Sequence, residues 1–318
     1  MYKKANKNLW NGRVDAEDKE LGKRWHEKIQ FINEPFAEKK GICLFSFDCD
    51  EGVKRNKGRI GASKAGDALK KAMGNFAYHL ENKILYDAGK VIANENLEKS
   101  QKNYAKYLKK ILKNKHFPLV LGGGHETAYG SFLALHKHLK EDIAIINFDA
   151  HFDLRVNKEA TSGTPFAQIA ALCEKEKTNF SYMCLGVSKA SNTKALYKKA
   201  KDLNVVYIED TKMNLLYLEQ IKKDIDVFLL KQKHIYITID TDVFSAYILE
   251  AVSAPASRGI SLEITYEVLR YCFKKYKSRI KLLDITEFNP SFDEKTIGAK
   301  IISRLVFDIV HLIDEHIA

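Results

Sequence analysis

The chain has 318 residues, of which 45% are apolar, and carries a formal net charge of +11 at neutral pH. No Pro-rich or Ser/Gly-rich linker divides it, so one large main domain is predicted rather than two ordinary ones. The excess lysine is scattered and matches no nucleic-acid-binding motif, which argues against a nucleic-acid partner. The sequence contains neither an apolar leader at MYKKANKNLW nor an apolar span of about 18 residues, which predicts a cytoplasmic protein without membrane contact.

The first part of the chain alternates polar and apolar segments. Residues 1–40 are polar with scattered Trp and Phe, and are predicted to form an N-terminal extension packed on the main body. A buried strand is predicted at 41–47, followed by the charged, glycine-rich loop DCDEGVKRNKGRIGA. Beyond that loop, a helix is predicted near 63–80, a strand at 83–92 and a helix at 95–115.

A strand predicted at 117–121 runs into the segment GGGHETAYG, in which a helix begins near Glu126. A phosphate-binding loop is the competing interpretation, but neither GxxxxGK[ST] nor GxGxxG fits these glycines. A lone histidine is more often structural than a ligand. His125, however, stands at the carboxyl end of a strand, where open α/β sheets bind their ligands.

The segment NFDAHFDLR follows an apolar strand predicted at 143–146. It places Asp149, His151 and Asp153 at i, i+2 and i+4, so in an extended backbone the three side chains leave on the same side. This pattern indicates a metal site, with a solvated loop as the alternative. The next segment, TSGTPFAQIA, is typical of a turn that leads into a helix whose N-terminal amides face the site.

The second half of the chain continues the alternation of strands and helices. Strands are predicted at 180–187 and 205–208, and helices at 193–202 and 215–231. A β-branched strand at 235–239 ends in Asp240 and Asp242, which again share a side. After a long irregular loop and a helix to about residue 276, the last strand at 280–285 places Glu287 at a fourth strand end, and a final helix is predicted at 294–315. The predicted class is therefore α/β with a mostly parallel sheet.

Since a parallel sheet brings neighbouring strand ends together, the metal-type residues are expected to meet. Two imidazoles and four carboxylates exceed the needs of one ion, whereas two divalent ions about 3.5–4 Å apart accommodate them. An oxygen-rich set without thiolates favours manganese, with magnesium, cobalt or iron as alternatives. Such a pair predicts hydrolysis of a carbon–nitrogen or phosphate bond. The predicted ligands are His125, Asp149, His151, Asp153, Asp240 and Asp242.

The motifs GGGHE, DAHFD, TIDTDVF and EFNP resemble, in this order, four motifs of the arginase or ureohydrolase superfamily. The resemblance implies a three-layer α/β/α fold with a mostly parallel central sheet, and a catalytic domain covering residues 41–318. It also implies two Mn²⁺ per subunit bound by the six predicted ligands, hydrolysis of a guanidino or amidino group, and a homo-oligomer, either a trimer or a hexamer.

Within the superfamily, the chain is most similar to formimidoylglutamases, which convert N-formimidoyl-L-glutamate and water to L-glutamate and formamide in histidine breakdown. The similarity lies in GVKRNKGRIGA, GGGH, HFDLR, TSGTPF and VSAPASRGIS. The alternative is a guanidino-compound hydrolase, such as an agmatinase or arginase, that releases urea. Those enzymes commonly carry a His-Gly pair where this chain has Ser162-Gly163, which weakens the alternative.

The resemblance implies that Glu287 binds the amidinium group and that Asp153 accepts a proton besides ligating metal. A small anionic, amino-acid-derived substrate also needs cationic partners, and Arg155 and Arg59 lie in the two loops best placed to supply them. A surface or intersubunit ion pair is the alternative role for both arginines, and for Arg59 it is the favoured one. Further hydrogen bonds to the substrate are expected from Ser162 and Thr164.

Overall fold

The structure, a computed structural model, describes residues 1–317. The strands are β1 (Tyr2–Lys3), β2 (Gln30–Phe31), β3 (Gly41–Asp48), β4 (Ile84–Ile92), β5 (Phe117–Leu121), β6 (Ile143–Phe148), β7 (Phe180–Val187), β8 (Val206–Glu209), β9 (His234–Asp240) and β10 (Ile280–Thr286). The helices are α1 (Trp25–Lys28), α2 (Glu51–Arg55), α3 (Ala65–Met73), α4 (Leu97–Lys113), α5 (Thr127–Leu139), α6 (Pro165–Glu176), α7 (Lys194–Asp202), α8 (Leu218–Leu229), α9 (Leu262–Tyr276) and α10 (Ile297–His316).

These strands form one sheet in the order β1-β4-β3-β5-β10-β9-β6-β7-β8, and the short strand β2 also pairs with β4. Strand β1 is antiparallel to β4, whereas the other strand pairs in residues 1–317 are parallel. Strands β5, β10, β9 and β6 are therefore consecutive neighbours in the middle of the sheet. Their carboxyl ends lie side by side, although the four strands come from distant parts of the sequence.

The two faces of the sheet support two separate hydrophobic cores. On β3, Ile42 and Leu44 pack in the core that includes α3, α8, α9 and α10, whereas Cys43, Phe45 and Phe47 pack in the core that includes α4, α5, α6 and α7. Because successive strand residues point to opposite faces, one apolar strand supplies both cores. The predicted three-layer α/β/α fold with a mostly parallel sheet is thus confirmed. No helix in residues 1–317 is both long and apolar enough to cross a membrane.

Residues 1–40 contribute to the same sheet instead of lying loosely on its surface. Strand β1 pairs with the edge strand β4, and β2 also pairs with β4. Trp25 and Phe36 are fully buried, and Trp10 donates a hydrogen bond from Nε1 to Oδ2 of Asp87 on β4 at 2.9 Å. A domain boundary at residue 40 stays a prediction.

One predicted helix ends earlier than its sequence pattern indicates. The helix expected to reach residue 80 stops at Met73. The next residues bond to the N-terminal extension instead, because the backbone N–H of Trp25 donates to Phe76 O at 2.8 Å and that of His26 donates to Gly74 O at 3.2 Å. The Trp25 and Phe76 rings also meet edge to face at 5.6 Å. A contact distant in sequence therefore overrides the local helical pattern.

Candidate metal centre

Three of the middle four strands, β5, β6 and β9, bring the six predicted ligands into one cluster at the carboxyl edge of the sheet. Their ligand atoms form two groups, and within each group all atoms lie within 4.8 Å of one another. The first group comprises His125 after β5, Asp149 and Asp153 after β6, and Asp240 at the end of β9; the second comprises Asp149, His151 and Asp242.

The first group is centred on the Nδ1 atom of His125. This nitrogen lies 3.1 Å from Oδ2 of Asp149, 3.0 Å from Oδ2 of Asp153 and 3.0 Å from Oδ2 of Asp240. His125 is fully buried, as are Asp149 and, nearly, Asp240. One imidazole nitrogen and three carboxylate oxygens thus lie within 4.8 Å of one another at a largely buried position.

The second group lies on the other side of Asp149. The Nδ1 atom of His151 is 3.1 Å from Oδ2 of Asp242 and 3.5 Å from Oδ1 of Asp149. Asp149 therefore presents Oδ2 to the first group and Oδ1 to the second. This is the arrangement of a carboxylate that bridges two adjacent cation positions.

Hydrogen bonds behind the cluster fix the orientation of its members. The Nε2 atom of His125 lies 3.1 Å from Oγ1 of Thr238, which leaves Nδ1 directed at the carboxylates. The side-chain amide of Asn147 donates to Oδ2 of Asp149 at 3.0 Å and to the hydroxyl of Tyr182 at 2.9 Å. Such supporting bonds set the ring orientation and tautomer of a metal-binding histidine and hold ligating carboxylates in place.

The electrostatics of the cluster are unbalanced without a bound cation. Burial alone lowers the pKa of His125, but Asp240 and the hydrogen-bonded carboxylates around the ring outweigh it and hold the pKa well above its ordinary value. Burial also lowers the pKa of His151, but Asp242 and Asp149 outweigh this effect and hold the pKa well above its usual value. Burial and the nearby carboxylates raise the pKa of Asp240 far above its ordinary range, and burial with Asp149 raises the pKa of Asp153 to about 6.

This donor set fits hard divalent cations. Within residues 1–317, Oδ1 of Asp242 and Oε2 of Glu287 are buried and have no hydrogen-bond partner, although buried polar atoms are normally paired. Two imidazoles and four carboxylates can balance two dications, and no thiolate belongs to either group. The residues therefore match the manganese-type site that the sequence predicts.

Two residues at the site adopt backbone conformations that are unusual for residues other than glycine. Asp153 has φ 47° and Glu287 has φ 65°, both in the left-handed region. Glu287 is fixed there because its N–H donates to Gly123 O at 2.8 Å and its Oε1 accepts the N–H of His125 at 2.8 Å. Gly123 is needed for a close approach, since a Cβ there would lie 1.7 Å from Cys49 O. Backbone strain of this kind concentrates at functional sites.

A cavity of about 190 Å³ opens onto the ligand cluster. Three residues that the sequence predicts for substrate binding, Arg155, Ser162 and Glu287, line this cavity. Two asparagines that the sequence analysis missed, Asn56 and Asn192, also line it. A larger cavity of about 1030 Å³, beyond the ends of β3 and β4, contains none of the six predicted ligands.

The structure does not bring Arg59 or Thr164 to the cavity. The Arg59 guanidinium donates to backbone carbonyls of residues 250–253 and stacks on the Phe292 ring at 4.4 Å, so it fastens a loop. The Thr164 hydroxyl lies 3.0 Å from Thr161 O and 3.1 Å from Gln168 Oε1, so either oxygen accepts its one proton. Both side chains therefore have structural partners.

The missed residues carried no local signal that separates them from other polar loop residues. Asn56 follows α2, a five-residue helix that the sequence analysis treated as loop. Asn192 precedes α7 and is buried by contacts with the backbone of the DAHFD segment. The one hint was position, because Asn56 lies in the loop after a central strand, where functional residues concentrate.

Comparisons with known proteins agree with this geometry. A model of the arginase family matches residues 40–311. A formimidoylglutamase from Aeromonas hydrophila is 41% identical over 306 residues, covering 95% of this chain and 96% of the relative. A crystal structure of formimidoylglutamase from Bacillus subtilis superimposes with a TM-score of 0.83 at 23% identity, over 94% of each chain. Trypanosoma cruzi formiminoglutamase, solved with Mn²⁺, gives a TM-score of 0.78 at 21% identity, covering 87% of this chain and 95% of that one.

Proposed function

The chain belongs to the arginase family, and we propose that it hydrolyses the formimidoyl C–N bond of N-formimidoyl-L-glutamate to give L-glutamate and formamide. The observation that carries this proposal is the 41% identity to a formimidoylglutamase over nearly the full length of both chains. The two ligand groups that share Asp149 supply the matching hydrolytic site. The Ser162-Gly163 pair, in place of His-Gly, weighs against a guanidino hydrolase.

We propose Mn²⁺ as the cofactor, with two ions per subunit. The oxygen-rich donor set, the two ligand groups with Asp149 between them, and the Mn²⁺ in the Trypanosoma cruzi relative support this assignment. When bound, such a pair of ions supplies Lewis acidity and activates water for hydrolysis at neutral pH. His125, Asp149, Asp153 and Asp240 would hold one ion, and Asp149, with His151 and Asp242, the other.

Glu287 and Asp153 carry the proposed chemistry of the protein. The unpaired Oε2 of Glu287 accepts hydrogen bonds from the amidinium nitrogens and holds the formimidoyl carbon beside the ligand cluster. Water adds to this carbon, and the bond from carbon to the glutamate nitrogen breaks. Asp153 accepts a proton of the attacking water on its carboxylate and passes it to the departing nitrogen. The products are formamide and L-glutamate.

The substrate carries two carboxylates, so its binding requires cationic or hydrogen-bond-donating groups. Arg155 lines the cavity, and its side chain forms no ion pair or hydrogen bond with the described residues 1–317. An arginine that is free of protein partners beside a cavity is well suited to bind a carboxylate in a bidentate manner. Arg155 is therefore the proposed principal carboxylate ligand.

The family resemblance also supports a homo-oligomer, either a trimer or a hexamer, that acts in histidine degradation in the cytoplasm without membrane or nucleic-acid partners. Sedimentation equilibrium of the purified protein tests the assembly. A monomer at micromolar concentration would contradict this part of the proposal and leave the proposed reaction unaffected.

A substrate panel tests the proposed reaction. The manganese-reconstituted protein is incubated with N-formimidoyl-L-glutamate, L-arginine and agmatine, and glutamate, formamide and urea are quantified. Release of equal amounts of glutamate and formamide, abolished by chelation and restored by Mn²⁺, is expected. Urea release without glutamate release would overturn the proposal in favour of a guanidino hydrolase.

A further inference from the structure

We propose that Asn56 and Gly163 complete, together with Arg155, a carboxylate-binding subsite that determines selectivity for an anionic formimidoyl substrate; this inference rests on the proposed function and deepens it. Arg155 supplies the positive charge, Asn56 donates a second hydrogen bond from its side-chain amide, and Gly163 leaves the space that the carboxylate occupies. Neither Asn56 nor Gly163 stood out in the sequence as a substrate-binding residue.

A closed loop holds the three residues together. The backbone N–H of Arg155 donates to Gly163 O at 3.0 Å, so the two ends of the loop 155–163 are fastened side by side. The loop is also fixed to its surroundings through Ala160, whose O accepts from Arg55 Nη1 at 3.2 Å. Arg55 is the last residue of α2. The same helix end therefore anchors the loop and presents the next residue, Asn56, to the cavity.

Gly163 marks a gap between the two donors. A Cβ built on Gly163 would lie 3.5 Å from Nδ2 of Asn56, 3.6 Å from Nε of Arg155 and 3.2 Å from Cδ of Arg155. Both nitrogens thus border the same small space. A single carboxylate can span such a space because its two oxygens accept hydrogen bonds from different donors.

The hydrogen-bonding capacity of Asn56 is largely unused. Its Nδ2 donates to Oγ of Ser162 at a long 3.3 Å, and its Oδ1 accepts no hydrogen bond within residues 1–317. Asn192 lines the same cavity and provides a contrast. Its Nδ2 donates to Ala150 O and Ser188 O, both at 2.9 Å, and its Oδ1 accepts the N–H of Phe152 at 3.1 Å. Asn192 is therefore a structural residue, whereas Asn56 has an N–H left to donate.

The chemistry of this subsite selects for carboxylates. A guanidinium and an amide N–H both donate to an anion, and the positive charge of the guanidinium repels a cation such as agmatine. The hydroxyl of Ser162, which is buried beside Asn56, can donate a third hydrogen bond. A substrate without a carboxylate would leave these donors facing an empty cavity, which costs binding energy.

The first test is Asn56→Ala in the manganese-loaded protein. Because hydrogen bonds to charged acceptors are among the stronger ones, KM for N-formimidoyl-L-glutamate should rise about tenfold, equivalent to about 1.4 kcal/mol, while kcat changes little. The same measurement is made with two analogues in which either carboxylate is converted to an amide. The Asn56→Ala effect should shrink for one analogue, and this identifies the carboxylate that is bound.

Controls separate a substrate contact from a structural role. Lys54→Ala removes a cation from the exposed face of the same helix and should leave KM unchanged. Asn56→Asp keeps the shape but places a negative charge beside the substrate, so KM should rise more than for Asn56→Ala. If Asn56→Ala leaves KM unchanged, or raises it equally for the substrate and both analogues, Asn56 is not part of the subsite.

The second test is Gly163→Ala, which fills the gap without removing a donor. Gly163 lies outside the left-handed region, so alanine is accepted by the backbone with a small displacement of Arg155. KM should rise with an unchanged melting temperature. An unchanged KM would show that the substrate does not enter this gap and would overturn the subsite.

Binding of L-glutamate, measured by calorimetry, keeps the two proposals distinguishable. If the wild-type protein fails to cleave N-formimidoyl-L-glutamate, the proposed function fails. The subsite then still stands if L-glutamate binds and both Asn56→Ala and Gly163→Ala weaken its binding. It falls if L-glutamate does not bind to the wild-type protein, or binds equally to all three proteins.

Discussion

Lys70 and Asp87 form a buried ion pair whose charges cancel and whose carboxylate oxygens all accept hydrogen bonds from the protein. The two residues are 1% and 0% exposed, and Nζ of Lys70 lies 2.7 Å from Oδ1 of Asp87. Oδ1 also accepts the N–H of Gly89 at 2.9 Å, and Oδ2 accepts Nε1 of Trp10 at 2.9 Å. One positive and one negative charge cancel, and both carboxylate oxygens have donors.

The ligand cluster is equally buried but is not balanced. Four carboxylates face two imidazoles, and Oδ1 of Asp242 and Oε2 of Glu287 have no partner among residues 1–317. Asp153 and Glu287 also adopt left-handed backbone conformations. The difference shows what separates a structural cluster from a functional one in this fold. The first is complete without a ligand, whereas the second is completed by cations and substrate.

The largest expected effect is loss of turnover in Asp149→Asn. Asp149 contributes one oxygen to each ligand group, so its substitution should weaken both cation positions and lower kcat/KM on the order of 10⁴-fold. Burial raises the pKa of Asp149, but hydrogen bonds to His125 and His151 outweigh it and hold the pKa below its usual value, so the substitution should also lower the melting temperature of the metal-free protein. Asp142→Asn, a partly exposed carboxylate before β6, is the matched control. Turnover close to the wild-type value would contradict the assignment of Asp149 to both cation positions.

Lys70→Ala should affect the stability of the protein much more than its turnover. Breaking a buried pair leaves an uncompensated charge, so the free energy of unfolding should fall by about 3–5 kcal/mol. Turnover per folded molecule should stay close to the wild-type value. Lys71→Ala, an exposed neighbour on α3, should change the stability little. Because well-packed apolar residues can replace an ion pair, Lys70→Met combined with Asp87→Leu should recover much of the loss in urea unfolding.

The sequence predicted the members of the ligand cluster, but it did not predict the Lys70–Asp87 ion pair. Asp149, His151 and Asp153 are close in sequence and follow an apolar strand, so the motif itself brings them together, although the strand ends at Phe148 and Asp153 has φ 47° instead of an extended backbone. The strand order β5-β10-β9-β6 then unites four such strand ends. The Lys70–Asp87 pair joins a helix to a strand through packing of the whole core, and no local pattern reports it.

The substrate-binding residues show the limit of prediction within a single loop. Asn56 and Arg59 are three residues apart, and charge alone favoured Arg59 as a substrate ligand. In the structure, the Arg59 side chain donates hydrogen bonds to carbonyls of residues 250–253. Asn56, which follows the end of α2, lines the cavity instead. The direction of the Arg59 side chain is set by a loop about 190 residues away, which sequence spacing cannot reveal.

A smaller expected effect is the release of protons from the ligand cluster when it binds a metal ion. In the metal-free protein, burial lowers the pKa values of His125 and His151, but the surrounding carboxylates outweigh it and hold both pKa values well above normal, which favours the protonated imidazoles. A metal must displace these protons, so its affinity should rise with pH, by about tenfold per pH unit for each proton released. Calorimetry of Mn²⁺ binding in buffers of different ionisation enthalpy at pH 7 measures the release. Binding without proton release would mean that the imidazoles are already neutral and that the cluster is less unbalanced than we infer.

The smallest expected effect tests whether Trp10, in the N-terminal segment, helps to stabilise the buried Lys70–Asp87 ion pair. Trp10→Phe keeps an aromatic ring at a nearly buried position but removes the donor to Oδ2 of Asp87. Since an unpaired buried acceptor is costly, the free energy of unfolding should fall by about 1–2 kcal/mol, with kcat and KM unchanged. In an Asp87→Leu background the same substitution should cost less, because the acceptor is gone. Equal losses in both backgrounds would show that the indole stabilises the fold by packing alone, and that Lys70 and Gly89 already balance Asp87 without residues 1–40.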